Sequence, residues 1–311
     1  MDDDHLAEAA RDLARGRWQP AQKLLNQNRT QDVKIHRLQV LAQEGCRYNT
    51  VEQWVQHTDD QSAHLLKIYT DVARAFLKPA DHQHITAAWS QCESHLQHHG
   101  LLVQIAQLTL ARVLPQAWRE PATEPLLIDT VWAHFKKRLA ELAEPAREEF
   151  TEGYRQYLEY YSPQWHGSGD EMSRVARELC DRAAQGSPRH VLPLVAFCEQ
   201  LTASHREGGQ SGFRREAGAL WRKSSVRRRV TRAVEQWWQK RAVHYATDVR
   251  DANYLAYGLV HTGQYELAWK VFDFLGPFAI AWPWGMDDDD PATAFEEHRE
   301  RMRAEATRRQ L

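Results

Sequence analysis

The segment CESHLQHHG, residues 92–100, sets Cys92, His95 and His99 at positions i, i+3 and i+7. A helix brings three such side chains to one face. Thiolate and imidazole are zinc ligands, and His82 and His84 just upstream are sources of a fourth donor. The spacing matches no standard zinc signature, however, and histidines just before Gly100 also suit the negative end of a helix dipole. The expectation is a structural cluster with no bound metal and no cofactor.

A second concentration of chemistry is YLEYYSPQWHGSGDEM, residues 157–172, with Tyr154 just before it. An imidazole beside carboxylates can act as general acid or base. His166, Asp170 and Tyr161 are therefore the candidate catalytic residues of a helical-fold enzyme of specialised metabolism, with a pocket near 154–171. Local structure accounts for the same letters. Ser168 followed by Glu171 is a capping box, Ser162-Pro163 stops a helix, and tyrosines three and four apart suit a core face.

A third is FRREAGALWRKSSVRRRVTRAVEQWWQKR, residues 213–241, which carries ten Lys or Arg against Glu216 and Glu235. Guanidinium groups neutralise phosphates, and exposed Trp221, Trp237 and Trp238 would stack on bases, so nucleic-acid binding is one reading. Trp221, Arg222 and Arg229 are the candidate contact residues. The charge wraps around the helix, though, and Val226, Val230, Ala233 and Trp237 form a buried stripe. An amphipathic helix that pairs with acidic groups, its own or those of an acidic protein or peptide, fits equally well.

A fourth is FLGPFAIAWPWGMDDDD, residues 274–290. Carboxylates suit calcium or magnesium, but consecutive Asp side chains point in different directions and no EF-hand spacing is present. Helix capping and solvation are the expected roles, with Trp282, Pro283 and Trp284 packed across the last hairpin. There is no phosphate-binding Gly-rich loop, no GxSxG, no HExxH and no dinucleotide fingerprint.

These side chains need elements to hold them. Apolar residues recur at three and four, strand alternation is absent, and Gly and Pro are sparse for 311 residues, which predicts an all-α chain. A 42% apolar share with twelve Trp supplies a large core, and a net charge of −2 gives no global attraction to nucleic acid or membrane. No stretch approaches a membrane span, the acidic start MDDDHLAEAA has no secretory apolar run, and the four cysteines are unpaired in spacing. Those features predict a cytoplasmic protein with reduced thiols and no membrane partner. No small-molecule ligand is specified. Gly186 ending one helix, Ser187-Pro188 opening the next and Asp290-Pro291 opening the last are further punctuation.

The segments LAEAARDLARGRWQPAQKLL and ANYLAYGLVHTGQYELAWKVFDFLG share one pattern. Gly16, Trp18, Ala21 and Leu25 correspond to Gly263, Tyr265, Ala268 and Phe272. Each is a helix, a glycine turn and a second helix with a small inner face. The pattern resembles the tetratricopeptide-repeat hairpin. Taken with IHRLQVLAQE, YLEYYSPQWHGSGDEMSRVARELCDRAAQGSP and DPATAFEEHRERM in order, it resembles a family of uncharacterised actinobacterial helical proteins related to such repeats. That resemblance implies stacked helical hairpins with an irregular central section, and it carries no activity.

Three sections are expected: N-terminal hairpins over 1–114, a central helical section over 115–207, and a C-terminal section over 208–311 with the basic helix, the hairpin and a solvated last helix. PQAWREPATEP (115–125) and SHREGGQSGFRR (204–215) mark the joints, the second as a mobile loop around Gly208, Gly209 and Gly212. Stacked hairpins leave a groove, so a non-catalytic scaffold for a protein or peptide is the leading expectation. Asn253, Tyr257 and His261, four apart on one helix face, are expected to line that groove.

Overall fold

Helix caps lie where the sequence places them. Ser168 Oγ accepts the Glu171 backbone N–H at 3.2 Å and donates to the Glu171 carboxylate at 2.9 Å. Ser187 Oγ accepts the Arg189 N–H at 3.3 Å, and Asp290 accepts the Ala292 N–H at 3.1 Å. The computed structural model describes the backbone of residues 4–27, 29–115 and 127–310, with the side chains of these except 145, 204–215 and 309–310. Among the described residues every regular element is helical and none is a strand. No helix there is long and apolar enough to cross a membrane. Apart from Pro115, the 115–125 joint lies outside the described residues.

The chain packs as two units, Met1–Tyr160 and Tyr161–Leu311. This division falls inside the section expected as central. The first unit holds α1 (Asp4–Ala14), α2 (Gln19–Leu25), α3 (Gln31–Gly45), α4 (Thr50–His57), α5 (Gln61–Leu77), α6 (His82–Leu110), α7 (Leu127–Ala140) and α8 (Thr151–Tyr160). α5 packs on α3, α4 and α6, while α1 packs on α2 and α3, and α6 on α7 and α8. Leu13, Ile35, Leu38, Leu41, Trp54, Leu65 and Phe135 are fully buried there. Within α6 the first helical run ends at Gly100 as expected (φ 40°, ψ −109°), and a second run continues from there to Leu110.

The second unit holds α9 (Gly169–Asp181), α10 (Leu192–Trp221), α11 (Ser224–Ala233), α12 (Asp248–His261), α13 (Tyr265–Leu275) and α14 (Pro291–Gln310). α10 packs on α9, α11 and α12; α13 packs on α12 and α14. Trp237, Tyr257, Phe272, Trp284 and Phe295 are its largest fully buried side chains among the described residues. A π-helical turn, Val234–Trp238, continues α11 and sets Trp237 in this core.

The loop expected around Gly208, Gly209 and Gly212 is instead helix, since α10 runs through it. Each helical glycine costs about 1 kcal/mol against alanine, but glycine keeps its N–H and blocks no helical hydrogen bond. No proline interrupts 204–215. The turns on either side are anchored by buried Leu194, Val195 and Cys198, and by buried Leu220 and Trp221.

The two look-alike segments do form helical pairs. Gly16 and Gly263 adopt the left-handed conformation at φ 80° and 72°, where a side chain is strained. Ala21 and Ala268 are fully buried beside their turns, so the paired helices approach closely. The last helix is less solvated than expected: Ala294, Phe295, Met302 and Ala306 form a buried stripe on α14.

Candidate functional site

Helix α12 reads DVRDANYLAYGLVH, and Ala252 to Val260 are buried without exception. Asn253 and Tyr257 are therefore 0% exposed and line no open groove. They belong to an internal polar network. Asn253 donates through Nδ2 to the Val249 carbonyl at 2.7 Å and the Phe278 carbonyl at 3.1 Å. Its Oδ1 accepts the Trp284 indole N–H at 2.6 Å.

One turn further, Tyr257 Oη donates to Asp287 Oδ1 at 2.9 Å. The other oxygen of that carboxylate, Oδ2, lies 3.2 Å from His261 Nε2 and 2.7 Å from His298 Nε2. Arg301 approaches His298 Nδ1 at 3.0 Å. Arginine only donates, so Nδ1 accepts and the ring proton sits on Nε2, directed at Asp287. Aromatic rings fix both imidazoles. Trp221 stacks on His261 at 5.6 Å and 22°, and Trp284 lies 5.6 Å from His298. Burial pushes the Asp287 carboxyl up, yet the hydrogen bonds from His261 and His298 outweigh it and hold the group well below the usual carboxylate range. Burial, then the Asp287 charge, pushes the Tyr257 phenol well above its ordinary value.

Of the four consecutive aspartates, only Asp287 turns into this network. Asp288 accepts the Asp290 N–H, and Asp290 caps α14 through Ala292 and Thr293. Among the described residues, His261, Asp287 and His298 are the one group whose three donor atoms all lie within 4.8 Å of one another.

No family model, curated protein or solved structure matches this chain.

A second feature lies on the outer side of α11. Ser224, Arg227, Arg228, Thr231, Arg232, Glu235 and Gln236 line an open cleft of about 790 Å³. Arg229 and Arg232 both reach Asp181, at 3.3 and 2.6 Å. Arg227 and Arg228 are exposed, and no carboxylate among the described residues pairs with them. Arg222 is exposed as well. The tryptophans expected to stack on bases are withheld: Trp221 and Trp237 are buried. Trp238 is capped by the Arg241 guanidinium, 3.4 Å from its ring centroid, and by Phe274.

The remaining candidates are dispersed. Cys92 is fully buried, and burial pushes its thiol up to about 12, as suits a packed thiol. His95 Nδ1 bonds the Gln91 carbonyl at 2.9 Å, and its ring stacks 6.4 Å from His99. His99 instead borders a polar cleft of about 560 Å³ with Lys34, Asp59 and Asp60. Tyr161 is buried, His166 is half-buried and Asp170 is exposed, and neither cleft is lined by any of them. Cys180 Sγ sits 3.6 Å from His190 Nδ1, a pairing that sequence spacing does not announce. Burial raises the thiol and pulls His190 down to about 4, so the pair is neutral packing and not an activated nucleophile.

Asp248 makes stability depend on pH. It is 3% exposed at the start of α12, with His244 Nδ1 3.2 Å from Oδ2. Burial and the neighbouring Asp251 raise its carboxyl to about 6, against the His244 hydrogen bond. An unfolded Asp titrates near 3.9, so between pH 4 and 6 the native chain holds the extra proton. Stability contributed by that proton is present below pH 4 and lost as pH rises through 6. In urea denaturation, the stability of Asp248→Asn relative to the parent is expected to rise by about 2–3 kcal/mol from pH 4 to pH 7. A difference that stays flat across that range means Asp248 titrates normally.

Proposed function

We propose that this chain is a non-catalytic helical scaffold that holds an acidic segment of a partner protein in the arginine-lined cleft of α11. The observation that carries the reading is the pair Arg227 and Arg228, exposed beside a cleft of about 790 Å³ and lacking carboxylate partners among the described residues. Two forks of guanidinium donors at one rim suit carboxylates of an extended peptide. The hairpins α1–α2 and α12–α13, with left-handed Gly16 and Gly263, support kinship with tetratricopeptide-repeat proteins. Each hairpin packed on the other helices of its own unit would supply the rigid backing that such peptide sites need. Four free cysteines fit a reducing, cytoplasmic setting.

Phosphates would also satisfy the arginines. The burial of Trp221 and Trp237 favours a carboxylate-bearing peptide, since bases would find no exposed indole there. The test is fluorescence anisotropy with a labelled Asp/Glu-rich peptide and, in parallel, a single-stranded oligonucleotide at matched ionic strength. The peptide is expected to bind more tightly. The double variant Arg227→Glu/Arg228→Glu is expected to weaken it about tenfold, two rim charges being reversed. No peptide binding at low salt, or binding indifferent to the double variant, overturns the proposal. Preference for the oligonucleotide with the same sensitivity replaces it with nucleic-acid binding.

A further inference from the structure

We infer that His261, Asp287 and His298 form a binding site for a divalent first-row transition-metal ion, Zn²⁺ being the natural occupant. The residues come from the end of α12, the segment before α14, and α14 itself, and their donor atoms converge within 4.8 Å. An ion bonded at about 2.0–2.1 Å, with ligands roughly 90–110° apart, needs donor atoms about 3 Å from one another. Asp287 Oδ2 already stands 3.2 Å from one imidazole nitrogen and 2.7 Å from the other. Two imidazoles and a carboxylate select zinc, cobalt or iron over magnesium and calcium, which take oxygen ligands. Three protein donors leave the remaining positions to water.

The surroundings are those of a held site. Tyr257 anchors the second oxygen of Asp287, which fixes the carboxylate plane. Trp221 and Trp284 pack against the imidazoles of His261 and His298. The three side chains remain 15–24% exposed, which leaves a path from solvent.

Proton placement gives the inference a sharper edge. Without metal, each Nε2–H donates to Asp287. An ion needs the Nε2 lone pairs, so each imidazole proton must move to Nδ1. At His298 that nitrogen faces the guanidinium of Arg301 at 3.0 Å, a donor opposed to a donor. Arg301 is exposed and can swing away, but it competes with the ion both by charge and by hydrogen bonding. Arg301→Gln removes the charge and supplies an amide oxygen for Nδ1–H. A triad that serves packing alone has no reason to respond to this change.

The experiment is calorimetric titration of the full chain, without a histidine tag, with Zn²⁺, and absorption titration with Co²⁺. One equivalent is expected to bind, with visible cobalt d–d bands. Asp287→Asn and His298→Ala are each expected to weaken binding about a hundredfold, and Arg301→Gln to tighten it about tenfold. The pair His95→Ala/His99→Ala is expected to leave the equivalent intact. Failure of the parent chain to bind one equivalent overturns the inference. So does binding that Asp287→Asn spares and the His95/His99 pair abolishes. Arg301 lies on the surface, so an Arg301→Gln chain that binds no more tightly counts against the site even where His298→Ala does not fold.

Discussion

Replacing Trp284 by alanine is expected to destabilise the second unit by about 3–5 kcal/mol, the usual cost of emptying a large aromatic position in a core. Trp284 is fully buried, and its ring lies 5.3 Å from Tyr257, 5.6 Å from Phe272 and 5.3 Å from Phe295. Its ring contacts thereby join α12, α13 and α14. Part of its effect is polar. The indole N–H is what satisfies Asn253 Oδ1, at 2.6 Å inside the core. Trp284→Phe keeps most of the apolar contact and strands that oxygen, so it is expected to cost about 1–3 kcal/mol. The double variant Trp284→Phe/Asn253→Leu removes both partners of that bond, also gives up the Asn253 bond to the Phe278 carbonyl, and is expected to recover only part of the loss. Urea unfolding followed by near-UV circular dichroism separates the three. A loss below about 1 kcal/mol for Trp284→Ala would mean that the aromatic cluster collapses to fill the space.

The all-helical fold was legible because it is written locally. Ser168, Ser187 and Asp290 satisfy N–H groups a few residues away, and Gly263 needs its left-handed turn whatever surrounds it. The network around Asp287 was only half legible, because it is written over distance. The four-residue spacing of Asn253, Tyr257 and His261 marks one helix face, but spacing alone does not tell a surface face from a buried one. The run ANYLAYGLV carries small or apolar residues around the whole circumference of the helix, and that signal points to burial on every side. His298 is masked by the charged residues around it on its helix. Its spacing from Phe295 and Met302, at three and four, places it on the inner stripe. Asp287 is indistinguishable by type from its three neighbours, yet consecutive side chains in an irregular segment diverge and one of four can turn inward. The arginines were legible as a charge run. Which of them Asp181 would neutralise was not, since Asp181 lies 48 and 51 residues from its partners.

Gly167→Ala is expected to cost about 3 kcal/mol, at the upper end for a small overpacking change, because what it strikes cannot rotate away. A Cβ at this position would lie 2.1 Å from the Tyr161 carbonyl oxygen, 2.6 Å from its carbon and 2.7 Å from its Cα. All three are main-chain atoms, and Tyr161 and Ser162 are themselves buried. The φ of Gly167 is not positive, so glycine serves close approach here and not a left-handed turn. The turn is closed by the Gly167 N–H on the Ser162 carbonyl at 3.3 Å. Pushing it open displaces Ser168, whose hydroxyl caps α9, so the steric cost and the loss of the cap arrive together. Gly169→Ala, two residues on, is the matched control. There the new methyl meets the flexible side chain of Gln200 at 3.3 Å, at the first position of a helix that favours alanine over glycine. It is expected to change stability by less than about 1 kcal/mol. Thermal or urea unfolding of the two variants decides what the SPQWHGSGDE phrase is for. A large loss at 167 with little change at 169 assigns its glycines to the packing of one turn. Equal and small effects would free His166 and Asp170 from that explanation and return the segment to the candidates for chemistry.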